Sequence, residues 1–267
     1  MRLTESDARS LAQMPVIQEP DPEGFYNPSQ ALQEQYVGIS FDAAYEQASR
    51  FLNYSFEHCD GEPPTRLLDF GCGWGRMLKL LRKMPEFAET ELHGCDVSPD
   101  ALEAVRRTSP RVWVTPCDPF PPSRYASSCF GRVLAFSVFS HLAESAHLAW
   151  AAEFARIVHP GGHAVITVQG DKYLDLCEDY RSGAKPITHP WHQDLANSFA
   201  EPDARARFDA GEFLFKERRL HPDGAAPTYG EAVVPRSYIE ARWGDAGFDL
   251  IDWNDRWGQN WCVLRRR

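Results

Sequence analysis

The residues best suited to chemistry in this chain stand in one short run, Asp69-Phe70-Gly71-Cys72-Gly73-Trp74-Gly75-Arg76, where an acidic side chain precedes three alternating glycines. Glycine tolerates backbone angles that other residues avoid and lets main chain approach a ligand with no Cβ in the way. Amides opening a helix after such a turn hold carboxylates and other electron-rich groups. Asp69, Gly71, Cys72, Gly73 and Gly75 are therefore the first candidates for holding a cofactor. Asp96, in Gly94-Cys95-Asp96-Val97-Ser98-Pro99, follows Asp69 by 27 positions. A carboxylate closing a second strand can accept hydrogen bonds from both hydroxyls of a ribose. For proton transfer near neutral pH histidine is the natural residue, and His141 leads, with His189, His192 and Tyr229 behind it.

The glycine spacing selects among cofactors. A dinucleotide fingerprint reads Gly-x-Gly-x-x-Gly, with pyrophosphate at the helix end. Here the spacing is Gly-x-Gly-x-Gly after Asp69, and the run Leu67 to Arg76 resembles motif I of the class I S-adenosylmethionine (SAM)-dependent methyltransferases. The resemblance continues through the acidic strand end at Asp96, the segment Ser137-Val138-Phe139-Ser140-His141-Leu142, and the turn Val158-His159-Pro160-Gly161-Gly162. It implies SAM as cofactor, with the glycine loop around its amino-acid half and Asp96 and Val97 at the ribose. Asp118 and Pro119 would then meet the adenine amino group, with Phe120 stacking on the ring. Phe136 and Ser137 would lie beside the methionine portion and the methyl group. Gly131 departs from the pattern, standing where relatives often carry aspartate.

The activity so implied is methyl transfer to a small-molecule or glycan-like acceptor, with oxygen the first acceptor atom by family habit and nitrogen and carbon left open. His141 would be the base for a hydroxyl acceptor, with Tyr229 and His192 as alternatives. Two other readings compete. One is a nicotinamide-dependent oxidoreductase, against which the glycine spacing argues. The other is a catalytically inactive SAM-fold binding or regulatory protein.

Elements that must position these residues follow from apolar periodicity. Strands are expected at Arg66–Phe70, Glu91–Cys95, Arg111–Thr115, Phe130–Phe136 and His163–Val168, then at Phe248–Trp253 and Asn260–Arg265. Helices are expected after the third glycine, from Pro99 behind a Ser98 cap, over Ala146–Ile157 and over Arg236–Ala246. This alternation predicts an α/β fold, a doubly wound, mostly parallel seven-stranded sheet of the Rossmann-like methyltransferase kind. An N-terminal region (1–60) would supply an extended arm punctuated by Pro15, Pro20, Pro22 and Pro28, then a covering helix over Phe41–Phe56. Tyr36-Val37-Gly38 would border the methionine end of SAM. The SAM-binding core would span 61–169. An insertion over 170–233, rich in aromatic residues (Tyr173, Tyr180, Trp191, Phe199, Phe213, Phe215) and including His221, would hold its own structure or a substrate lid. Residues 234–267 would complete the sheet.

The 267 residues are 43% hydrophobic, enough for a substantial core. A net charge of −10 removes any general attraction to nucleic acid, and Arg265-Arg266-Arg267 reads as a solubilising tail, so no nucleic-acid partner is expected. Seven scattered cysteines read as reduced thiols. No metal-ligand spacing, nucleophile elbow or phosphate loop stands out, so no metal is expected. With no apolar stretch of bilayer length and a polar start, the chain reads as cytoplasmic, without a membrane partner.

Overall fold

The computed structural model describes residues 2–13, 24–59, 62–218, 228–255 and 258–267. Three helices come first: α1 (Glu5–Ala12), α2 (Gln30–Val37) and α3 (Phe41–His58). An alternating series follows: β1 (Arg66–Phe70), α4 (Arg76–Lys83), β2 (Glu91–Asp96), α5 (Pro99–Thr108), β3 (Val112–Pro116), β4 (Phe130–Ala135), α6 (Glu144–Ile157) and β5 (Val158–Val168). Next come α7 (Asp171–Arg181), α8 (Pro190–Ala196), α9 (Ala204–Asp209), β6 (Leu214–Glu217) and β7 (Gly230–Val233). The series closes with α10 (Arg236–Asp245), β8 (Phe248–Asn254) and β9 (Asn260–Arg266). Seven strands form one sheet in the order β3-β2-β1-β4-β5-β9-β8, the expected doubly wound α/β architecture, and β6 pairs with β7 separately.

The chain divides into two compact units: Met1–Phe136 with Arg156–Val165 and Arg266, and Ser137–Ala155 with Ile166–Arg265 and Arg267. In the first, β1 runs parallel to β2 and β4, and β2 parallel to β3. Loops leaving their C-terminal ends therefore share one edge, where open α/β sheets bind ligands. Leu67, Leu68 and Phe70 are buried, as a central parallel strand covered on both faces requires. The Ser98 hydroxyl accepts from the Ala101 N–H at 3.3 Å and Pro99 opens α5, as its sequence specifies.

Two local expectations are corrected here. Residues Glu5–Ala12 are helical, where an extended arm was expected. Thr4 and Asp7 form a capping box, and Ala8, Leu11 and Ala12 bury one face, so a short amphipathic turn outweighs the weak periodicity. Asn53 fastens this helix to α3 by exchanging bonds with the Leu3 N–H (2.6 Å) and carbonyl (3.0 Å). β5 begins at Val158, where a turn was expected through Gly162. A Cβ on Gly162 would lie 2.9 Å from the Gly131 carbonyl oxygen, so here glycine permits close strand packing. Gly131 itself has no room for the family's aspartate, since its Cβ would stand 2.6 Å from Pro64 Cβ.

In the second unit the insertion has its own core, of Tyr173, Leu174, Cys177, Leu195, Phe199, Ala204, Leu214 and Val233. Tyr173 and Phe199 thus hold the insertion together, whereas Trp191 is exposed. Pro15, Pro20, Pro22 and His221 lie outside the described residues. Among the described residues no helix is long and apolar enough to cross a membrane, and no cluster of His, Cys, Asp and Glu could hold a metal ion.

Candidate functional site

Between β1 and α4 the chain takes positive φ at all three glycines: +72° at Gly71, +52° at Gly73 and +82° at Gly75. Residues with a Cβ rarely follow such a path. The N–H groups of Gly71 and Cys72 donate to the Cys95 carbonyl at 2.8 and 3.0 Å, fastening the loop to the end of β2. Gly73 N–H donates to Asp96 Oδ2 and Ser98 N–H to Asp96 Oδ1, both at 2.9 Å. The carboxylate keeps acceptor capacity beyond these bonds, which suits a ribose hydroxyl. From α2 the Tyr36 hydroxyl bonds Ser98 Oγ at 2.6 Å, and a Cβ on Gly73 would lie 3.7 Å from Tyr36 Cβ. Tyr36 therefore borders the loop.

The other expected cofactor residues fall around the same strand ends. Val97 is 59% exposed and offers apolar surface directly after Asp96. Asp118, Pro119 and Phe120 lie exposed in the loop leaving β3, which the Cys117 N–H ties to the Asp96 carbonyl at 3.2 Å. Phe136 directly follows β4, with its ring 4.9 Å from that of Phe51 and the Arg76 guanidinium 5.3 Å above it. Ser137 follows at φ +58°, a conformation uncommon for serine, with its N–H held by Thr167 Oγ1 at 2.7 Å and its hydroxyl by Gln259 Nε2 at 3.0 Å.

Burial dominates the electrostatics of the loop. It pushes the Asp69 carboxyl up to about 7, against the opposing Arg76 charge and with help from Asp96. Arg76, itself brought down to about 10 by burial, donates to the Ala44 carbonyl at 3.1 Å. Burial, then the charges of Asp69 and Asp96, hold the Cys72 thiol well above its usual range, so it is protonated and not poised as a nucleophile. The Asp96 carboxyl is also raised by burial, opposed by the N–H groups of Ser98, Gly73 and Val97. Flexible glycine main chain, a diol-accepting carboxylate and an exposed apolar surface fit the parts of SAM.

Residues 67–162 match the family described as methyltransferase domain. Over these residues the chain is similar to a methyltransferase domain. Its fold recurs in a chain of the Haloferax volcanii complex containing the Trm112 methyltransferase activator (14% identity, 88% of this chain and 94% of that one, TM-score 0.55). A SAM-dependent methyltransferase from Methanosarcina mazei is similar at 12% identity over 79% and 96% of the two chains, with TM-score 0.52. The glycopeptide N-methyltransferase MtfA complexed with SAM is similar at 13% identity over 82% and 94%, with TM-score 0.51. Among curated proteins no match is found.

The candidate catalytic residues lie in the second unit, and its packing brings two of them together. His141 and Tyr229 stack with ring centroids 5.2 Å apart and planes at 21°. His141 Nδ1 lies 2.9 Å from the Gly230 carbonyl oxygen, so Nδ1 donates and the neutral ring keeps its lone pair at Nε2. Burial lowers the His141 pKa, and the Glu231 charge opposes that fall. His192 is placed elsewhere, stacked on Tyr180 at 4.5 Å with its Nδ1 accepting from the Thr188 N–H at 3.2 Å. His189 caps α8 by accepting from the Trp191 N–H at 3.1 Å.

Three neighbours of His141 carry no mark in the sequence. Glu231 is almost fully buried, with Oε2 3.5 Å from His141 Nδ1. Gln169 Nε2 donates to that oxygen at 2.7 Å, and Arg218 Nη2 is 2.7 Å from Oε1. These residues come from separate elements, so no local motif contains them. A buried glutamate on a strand of four buried residues, Gly230 to Val233, is the only sequence signal, and it is readable only once burial is known.

Proposed function

We propose that the protein transfers the methyl group of SAM to a hydroxyl oxygen of a small-molecule or glycan-like acceptor. SAM supplies an electrophilic methyl on a sulfonium centre. The reading rests on Asp96, whose two oxygens are fixed by Gly73 and Ser98 while lone pairs stay available beside exposed Val97. The loop main chain from Gly71 to Gly75 would hold the amino-acid half, Asp96 the ribose, and Asp118, Pro119 and Phe120 the adenine. Phe136 and Ser137 would serve the methionine portion.

His141 is the base in this reading, because its Nε2 lone pair can take the proton that the acceptor hydroxyl loses. Exposed Trp191 and the stacked pair Tyr180 and His192 would offer apolar surface to a ring-containing acceptor. The net charge of −10 disfavours a polyanionic one.

Calorimetric titration of the purified, cofactor-free protein with SAM, S-adenosylhomocysteine and NAD tests the first half. Binding of the first two without NAD is expected; binding of NAD alone would replace this reading with a nicotinamide oxidoreductase. Methyl release with a panel of hydroxylated acceptors tests the second half. Binding without turnover on any member would favour an inactive SAM-fold subunit.

A further inference from the structure

We propose that Glu231, held by Arg218 and Gln169, is the positioning residue of His141: it fixes the ring orientation and stabilises the positive charge that arrives when Nε2 takes a proton. This rests on the reading of His141 as the base.

The hydrogen bond from Nδ1 to the Gly230 carbonyl sets the tautomer, and main-chain bonds lock its frame. Gly230 N–H donates to the His141 carbonyl at 2.8 Å and Ala232 N–H to the Ser140 carbonyl at 2.9 Å. A carbonyl dipole cannot neutralise an imidazolium, and a mostly buried ring has little water to do so. The Glu231 carboxylate, 3.5 Å from Nδ1, is the group placed to do it. Its own burial is supported by the Gln169 amide and the Arg218 guanidinium, as a buried carboxylate requires. Gln169 also donates to the Ser140 carbonyl at 3.4 Å, which ties the carboxylate to the segment carrying His141. Gly230 is itself obligatory, because a Cβ there would stand 2.2 Å from the Lys216 carbonyl oxygen. The hairpin carrying Glu231 is thus held in one register.

The charged and titratable groups facing this ring are Glu231 from β7, Arg218 just after β6, and the Tyr229 hydroxyl before β7; Tyr173 of α7 faces Glu231 itself. Of these charges Glu231 favours the imidazolium, as does the Gly230 carbonyl, and Arg218 opposes it. The two charged residues should therefore move the histidine in opposite directions.

Long-range nitrogen–proton correlation spectra of the imidazole rings, recorded against pH and assigned with H141Q, read this without any acceptor. Wild type should show the Nδ1–H tautomer. E231Q should lower the His141 pKa by about 1 unit, and R218Q should raise it. An E231Q protein that stays folded with an unmoved His141 titration would overturn the proposal. Should E231Q fail to fold, R218Q decides: an upward shift supports the coupling and an unmoved titration overturns it. Once an acceptor is in hand, E231Q should lower kcat about tenfold or more with SAM affinity unchanged, and E231D should restore part of it. Expected spectral shifts together with full methyl transfer in H141A would leave the coupling standing and refute the base assignment instead.

Discussion

The glycine cradle after β1 and the histidine cluster around β7 are built from opposite materials. In the cradle the candidate working groups are main-chain amides of neighbouring residues, and those of Gly71, Cys72 and Gly73 are anchored at the adjacent strand end by Cys95 and Asp96. In the cluster they are side chains from separate segments, with His141 bonded to Gly230 at a separation of 89 residues and Gln169 to Glu231 at 62. A main-chain site demands glycine and tolerates little else. A side-chain site depends on every packed element that delivers a member. Cofactor capture and proton transfer should accordingly fail in different ways.

Gly75→Val should produce the largest effect, since φ is +82° and a Cβ would stand 2.9 Å from Val105 Cγ2. Loss of SAM binding by calorimetry and a fall in unfolding free energy of about 2–4 kcal/mol are expected. Retained affinity would mean that the cradle is not the cofactor site. Next, His141→Ala should leave SAM affinity intact and reduce turnover about 100-fold or more. Equal loss of both would erase the contrast between the regions.

Asp96→Ala removes the diol acceptor and also strands the N–H groups of Gly73 and Ser98. SAM affinity should fall about 10- to 100-fold, with a smaller fall in melting temperature. Tyr36→Phe should be milder, about 1 kcal/mol in stability and a few-fold in SAM affinity, because one 2.6 Å bond to Ser98 is lost.

A pH titration of stability separates His147 from His141. His147 is fully buried, accepts from Trp243 Nε1 at 3.0 Å, and is lowered by burial to about 3. Its folded pKa lies below the unfolded value of 6.5, so the neutral ring's contribution is complete above pH 6.5. That contribution is lost as pH falls toward 3, by up to about 1.4 kcal/mol per pH unit. Denaturant midpoints measured across this window should decline in wild type and decline less in His147→Gln.

Histidines that look alike in the sequence thus part company in the structure. His147 is enclosed by Phe139, Phe213, Tyr238 and Trp243, His192 lies half-buried on Tyr180, and His141 is mostly buried beside a glutamate. Residue type alone ranked His141 first through its position after β4. It could not supply Glu231, Gln169 or Arg218, whose relevance arises only when β6 pairs with β7 and Gln169, just after β5, bridges to Val233.

By itself the sequence determined the order of strands and helices around the cradle. Each is set by local periodicity, by the Ser98 cap, or by glycines that alone accept the required angles, and those causes act within a few residues. Only the tertiary structure decided that Glu5–Ala12 form a helix pinned by Asn53, that Gly131 leaves no space for a carboxylate, and that a buried glutamate faces His141. Those outcomes depend on long-range packing, in which the partner of each side chain is fixed by the fold and leaves no periodic trace in the sequence around it.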